Sequence, residues 1–241
     1  MNTKVHYENH LSNYYSWMFG NRDDKLQENR DFFKKYDISA SSNETAIDLG
    51  AGNGFQTIPL AELGFKVKAV DFSRKLLKEL EQNCSGLDVE IIEDDILNFS
   101  VYNVYRPSLI VCMGDTITHL NSANDLKRLI LNSYSILDKK GKFIVTYRDL
   151  SAELQGTQRF IPVRSDENRI STCFLEYEKH DVNVFDIVHE KKGDKWVQKI
   201  STYKKLKIPR EIIANYFSDV GFSNLQIESE KGFVTVIGVK E

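Results

Sequence analysis

Across 241 residues there are only 3 cysteines, Cys84, Cys112 and Cys173, with no C-x-x-C pair among them. An odd, scattered set of thiols argues against a disulfide framework and offers no zinc spacing. No metal site is expected, and a reducing, cytoplasmic setting fits. Long apolar runs are missing as well. Nothing approaches the ~20 residues of a membrane span, and the start, Met1-Asn2-Thr3-Lys4-Val5-His6-Tyr7-Glu8, is polar where a secretory signal would be apolar. Charge of one sign is also lacking, with Lys plus Arg at 32, Asp plus Glu at 35 and a net charge of −3. Nucleic-acid binders carry a basic excess or stripe. The only short basic cluster here, Lys199 to Lys207, reads as a solvated strand face. What remains is the composition of an ordinary globular chain, long enough to bury one substantial core.

The stretch that stands out is Ala46-Ile47-Asp48-Leu49-Gly50-Ala51-Gly52-Asn53-Gly54. A short apolar strand that breaks into three alternate glycines suits a backbone that turns sharply into a helix and lets a ligand lie on it. A nucleotide-like ligand is the first expectation. A dinucleotide fingerprint would need a third glycine at position 55, where Phe55 stands. The next apolar run ends on an acid, Asp71, and a third acidic stretch follows at Glu93-Asp94-Asp95-Ile96.

These three motifs, in this order, resemble the class I S-adenosylmethionine-dependent methyltransferases. An acid, one residue and G-x-G-x-G correspond to Asp48 through Gly54. The resemblance implies S-adenosylmethionine as cofactor. Gly50, Gly52 and Gly54 would lie against its carboxypropyl end and ribose, Asp71 on the ribose hydroxyls, and Asp95, with Asp94 as competing acceptor, on the adenine amino group. Ile96 and Phe72 would wall the ring, and the Met113 and Gly114 carbonyls would meet the ligand ammonium. Asp48 is either part of this set or a structural acceptor for loop amides. Tyr15 and Trp17 belong to a Tyr14–Met18 segment that either closes over the cofactor, where aromatic faces suit a sulfonium, or simply packs. Phe32 and Phe33 are expected to pack.

Periodicity orders the rest. Strands are expected at 65–70, 89–92, 109–113 and 143–147, alternating with helices; Ser73 would cap one helix and Pro209 open another. After Arg148 the alternation stops, and four β-like segments between 158 and 206 read as inserted antiparallel strands. The expected fold is α/β, a doubly wound, Rossmann-like sheet. The resemblance sharpens it to seven strands with an antiparallel last strand. Residues 1–44 would form a helical lid, 45–150 and 207–241 the cofactor-binding core, and 151–206 an insertion that covers a substrate or pairs across a homodimer.

The acceptor end is quieter. His119, after the fourth strand, is a candidate general base or a hydrogen-bonded structural histidine. Arg148, with Arg159, could hold a carboxylate or phosphate; Arg164, His180 and His189 read as surface residues. The family's nucleic-acid amino-methylating members carry an Asn or Asp, Pro, Pro, aromatic tetrad where this chain has Met113-Gly114-Asp115-Thr116. The layout resembles instead the glycine N-methyltransferase and amino-sugar types. The expectation is methyl transfer to an N or O nucleophile of a small, plausibly anionic molecule. The alternatives are a non-catalytic cofactor-binding module and a nicotinamide-dependent oxidoreductase.

Overall fold

The computed structural model describes residues 6–8, 10–41, 44–102 and 104–241. The polar start at Met1–Val5 and Asn43, just before the first strand, lie outside the described residues. Seven strands form the main sheet: β1 (Thr45–Leu49), β2 (Lys66–Asp71), β3 (Val89–Glu93), β4 (Leu109–Cys112), β5 (Lys142–Arg148), β10 (Ser223–Glu230) and β11 (Phe233–Val239). Their order is β10-β11-β5-β4-β1-β2-β3. β1 to β5 run parallel, while β11 enters antiparallel between β5 and β10.

Burial on both faces explains the continuous apolar runs of β4 and β5, each flanked by helices. Ile110, Cys112, Phe143 and Val145 join one core cluster and Leu109, Val111 and Ile144 another. The helix Ala123–Ile136 covers one face with Leu126, Leu129, Ile130, Ser133 and Ile136, the spacing of a single helical stripe. Its start is fixed by Ser122, whose side chain accepts the Asp125 amide. Ser73 departs from expectation: it occupies the cap position of helix Arg74–Asn83, yet makes no side-chain cap. The Asp71 carboxylate two residues earlier takes the Ser73 amide instead.

The insertion is a separate four-stranded antiparallel sheet, β6 (Phe160–Ser165), β7 (Arg169–Tyr177), β8 (Asp181–Lys192) and β9 (Lys195–Leu206). Along β8, Val182, Val184, Asp186 and Val188 are buried and alternate with partly open neighbours, so one face is covered. Before β1, the helices Tyr15–Phe19 and Arg22–Lys35 meet at Gly20, and Asn21 caps the second by accepting the Asp23 amide. No helix among the described residues is long and apolar enough to cross a membrane.

Candidate active site

At the carboxyl ends of β1, β2, β4 and β5, where open α/β sheets hold ligands, lies a cavity of about 740 Å³. Its floor is the glycine turn. The amides of Gly50 and Ala51 both donate to the Val70 carbonyl, at 2.8 and 3.0 Å, which hangs the turn on β2. All three glycines have positive φ, but for different reasons. A Cβ on Gly50 would stand 2.5 Å from the Thr116 side chain, and one on Gly54 would run into Leu80. At Gly52 the nearest atoms would be 3.9 Å away, because that residue opens onto the cavity.

Asp71 locks this floor to the next loop. Its Oδ2 accepts the Gly52 amide at 2.9 Å and its Oδ1 the Ser73 amide at 2.7 Å. Burial raises its carboxyl, and those amides pull the other way. Asp48 lies deeper. It accepts the Thr57 hydroxyl at 2.6 Å, and burial pushes its carboxyl up to about 7.

The opposite wall draws on distant parts of the chain. Asp115 has φ 75°, an uncommon left-handed value for a residue with a side chain. Its Oδ1 accepts the Arg148 amide and its Oδ2 the Lys205 ammonium of β9, the latter at 2.8 Å. Burial alone would raise the Asp115 carboxyl, but Lys205 and that amide outweigh it and bring it to about 2. His119 packs face to face with Tyr203 at 5.4 Å and edge to face with Tyr7 at 5.6 Å. Its Nδ1 is buried with no hydrogen-bond partner among the described residues. Burial first, then Lys205, push this ring down to about 3, so it is neutral at physiological pH. The neutral ring keeps one acceptor nitrogen.

Tyr15, Gly50, Gly52, Asp71, Phe72, Asp95, Ile96, Met113, Gly114, His119 and Arg148 all line the cavity, as does Asp94. Four expected residues do not, among them Arg159, whose guanidinium lies over the Phe174 ring of the insertion. Asp48 is turned into the core onto Thr57, and Gly54 packs under Leu80. Trp17 points away, its indole N–H donating to Asp166 at 2.5 Å with the Arg164 and Arg169 guanidinium groups over its ring. Phe33 is core as expected, whereas Phe32 lines the cavity mouth.

Sequence reasoning missed Tyr7, a wall residue edge-on to Phe72, and the Asp115–Lys205 pair. The lysine cluster read as a solvated face is divided. Lys204 reaches outward to Glu178 while Lys205, on the Ser201 and Tyr203 face, is 13% exposed. Strand parity with the aromatic Tyr203 was the available signal.

With this geometry in place, comparison with known proteins is decisive for the core. Residues 46–141 match the family model described as a methyltransferase domain. The match covers under half of the chain. It contains the glycine turn, Asp71, Asp95 and Asp115–His119. A glycine/sarcosine/dimethylglycine N-methyltransferase of Actinopolyspora halophila is 28% identical over 54% of this chain and 25% of its own length. A glycine/sarcosine N-methyltransferase of Aphanothece halophytica is 30% identical over 43% of this chain and 40% of its own. The chain thus spans less than half the length of these curated relatives. Among solved structures, the CcbJ methyltransferase of Streptomyces caelestis superposes with a TM-score of 0.80 at 14% identity, covering 99% of both chains. An S-adenosylmethionine-dependent methyltransferase of Clostridium acetobutylicum ATCC 824 gives 0.69 at 20% identity, over 98% of this chain and 96% of that one. The main sheet, the helices before it and the inserted strands therefore share one fold with these proteins over nearly the whole chain.

Proposed function

We propose that the chain is an S-adenosylmethionine-dependent N-methyltransferase acting in the cytoplasm on a small amine that carries an acid group. The reading is supported above all by the Gly52–Asp71 floor of the cavity. There the backbone lies open where a Cβ would meet nothing closer than 3.9 Å, and a buried carboxylate held by two amides keeps lone pairs for hydroxyl donors. The lining also suits a cation: of its acids, Asp115 is paired with Lys205 and Glu93 with Arg74, while Asp71, Asp94 and Asp95 stand in the same cavity without a cationic partner in the lining besides Lys25 and Arg148. The aromatic rings of Tyr7, Tyr15 and Phe72 add cation–π attraction of about 0.5–2 kcal/mol for a sulfonium.

S-adenosylmethionine supplies an electrophilic methyl group together with its own leaving group, so the protein's task is positioning in a dry cavity. Asp71 holds hydroxyls, Asp95 or Asp94 an amino group, and Ile96 and Phe72 flank the ring between them. Neutral His119, which lines the cavity, would offer the one acceptor nitrogen of its ring to an N–H of the amine, aligning the nitrogen lone pair. Arg148, on the same wall, holds the acceptor's acid group in a charge-assisted pair. The helices Tyr15–Phe19 and Arg22–Lys35 cover the cavity from above, with Tyr15, Phe19 and Phe32 excluding water.

Two measurements test this. S-adenosylmethionine and S-adenosylhomocysteine should each raise the melting temperature, and NAD should not. With methyl-labelled cofactor, glycine and sarcosine should become labelled ahead of glycolate, which presents oxygen in place of nitrogen. Stabilisation by NAD alone, or labelling of glycolate ahead of both amines, would overturn the reading.

A further inference from the structure

Resting on that reading and deepening it, we infer that Lys205 is a positioning residue of the methyl transfer, acting on Asp115 and His119 rather than on the acceptor. Lys205 leaves the inserted sheet on its covered face and reaches Asp115 across the gap to the main sheet, the two side chains 13% and 20% exposed. Ordering and desolvating a lysine in this way is costly. Its neighbour Lys204 stays in solvent with Glu178 and Asp181, so an exposed partner was within reach of the same strand.

One carboxylate then joins three elements. Asp115 follows β4, its Oδ1 takes the Arg148 amide at the end of β5, and its Oδ2 takes Lys205 from β9. The Asp115 carbonyl also accepts the Thr118 hydroxyl at 2.7 Å, shaping the short turn Thr116–His119 that carries the imidazole. Holding Asp115 in its left-handed conformation therefore holds both His119 and the start of Arg148.

The second effect is electrostatic. His119 faces Asp115 on the core side, Tyr7 and His6 on the N-terminal segment, and Lys205, Tyr203 and Asp186 on the insertion; Cys173 lies in the same group. Lys205 and His6 oppose a second proton on the ring, whereas Asp115 and Asp186 favour one. A neutral imidazole has one acceptor nitrogen and an imidazolium none. Without the Lys205 charge, burial and His6 would still oppose a second proton, but less strongly against the pull of Asp115 and Asp186. His119 would take up a proton at higher pH and lose the lone pair that receives the amine.

The test uses the full chain and needs no acceptor for its first readout. The His119 Cε1–H signal, assigned with His119→Asn, is followed by NMR as the pH falls. In the wild type no inflection is expected above about pH 4.5. Lys205→Gln should bring the midpoint up by about one pH unit or more, Lys205→Arg should restore wild-type behaviour, and Asp115→Asn should not raise it. The acid limb of kcat/KM for glycine should move with the NMR midpoint in Lys205→Gln, while the Kd for S-adenosylhomocysteine stays within about twofold. An unmoved His119 midpoint in Lys205→Gln, or a loss of S-adenosylhomocysteine affinity as large as the loss of kcat/KM, overturns the inference. Failure of the wild type to methylate any amine would instead sink the proposed function, with the His119 titration still deciding what Lys205 does.

Discussion

The two ends of the cavity are built on opposite principles. The floor is backbone: the Gly50 and Ala51 amides on Val70, and the Gly52 and Ser73 amides on Asp71, all within 24 consecutive residues. The far wall is side chain: Tyr7, His119, Tyr203 and the Asp115–Lys205 pair come from three separate parts of the chain. A backbone floor is set once the strands pair and tolerates many side chains around it. A side-chain wall can be retuned by single substitutions, but each of its buried polar groups depends on its partner.

The largest effect expected on this contrast is that of Asp71→Ala. It strands the Gly52 and Ser73 amides and removes the hydroxyl acceptor, so S-adenosylhomocysteine affinity by calorimetry should fall by about 100-fold or more, equivalent to some 3 kcal/mol. A loss under tenfold would mean that the floor is not the cofactor cradle. Next comes the pair Gly54→Ala and Gly52→Ala. The first drives a methyl into Leu80 at φ 96° and should cost about 2–3 kcal/mol in urea unfolding. The second faces open space and should cost about 1 kcal/mol of fold while weakening ligand binding more than Gly54→Ala does. Equal effects of the two on binding would erase the distinction between packing and contact glycines.

A smaller, pH-dependent effect belongs to Asp48. Its carboxyl titrates near 7 when folded, against about 4 in an unfolded chain. The stability it contributes is therefore present below pH ~4 and is lost as pH rises through 7. Asp48→Asn, which can still accept the Thr57 hydroxyl, should raise stability by about 1–3 kcal/mol at pH 8, the gain vanishing toward pH 4. A stability curve parallel to that of the wild type would show that the carboxyl is not protonated by burial. The smallest effect is expected of Trp17→Phe: it breaks the bond to Asp166 and should leave cofactor affinity within about twofold.

Trp17 and Tyr7 illustrate how far sequence carries. The floor was legible because its residues are neighbours: three glycines at fixed spacing, then an acid at each of the next two strand ends, all set by local geometry. The strand–helix alternation and the inserted hairpins followed from periodicity in the same way. On the far wall the order of aromatics gave no such guide. Trp17 stands only two residues beyond Tyr15, on another face of the short helix, and meets Asp166 on the insertion, while Tyr7 supplies the wall. Only the docking of the inserted sheet decides which faces inward. The same docking draws Lys205 out of a run of lysines and into the site, where burial and that charge keep the His119 ring neutral at physiological pH.

Placing β11 between β5 and β10 also has a consequence for biosynthesis. Phe233 pairs with Arg148 and stands in the cavity wall, so the polypeptide carrying the glycine turn must wait for some 180 further residues before its pocket is complete. At ordinary translation speeds that is on the order of ten seconds or more on the ribosome. From the end of β5 until Phe233 is made, 85 residues later, one flank of β5 lacks its final neighbour and stands as an unpaired strand edge, open to pairing with another chain.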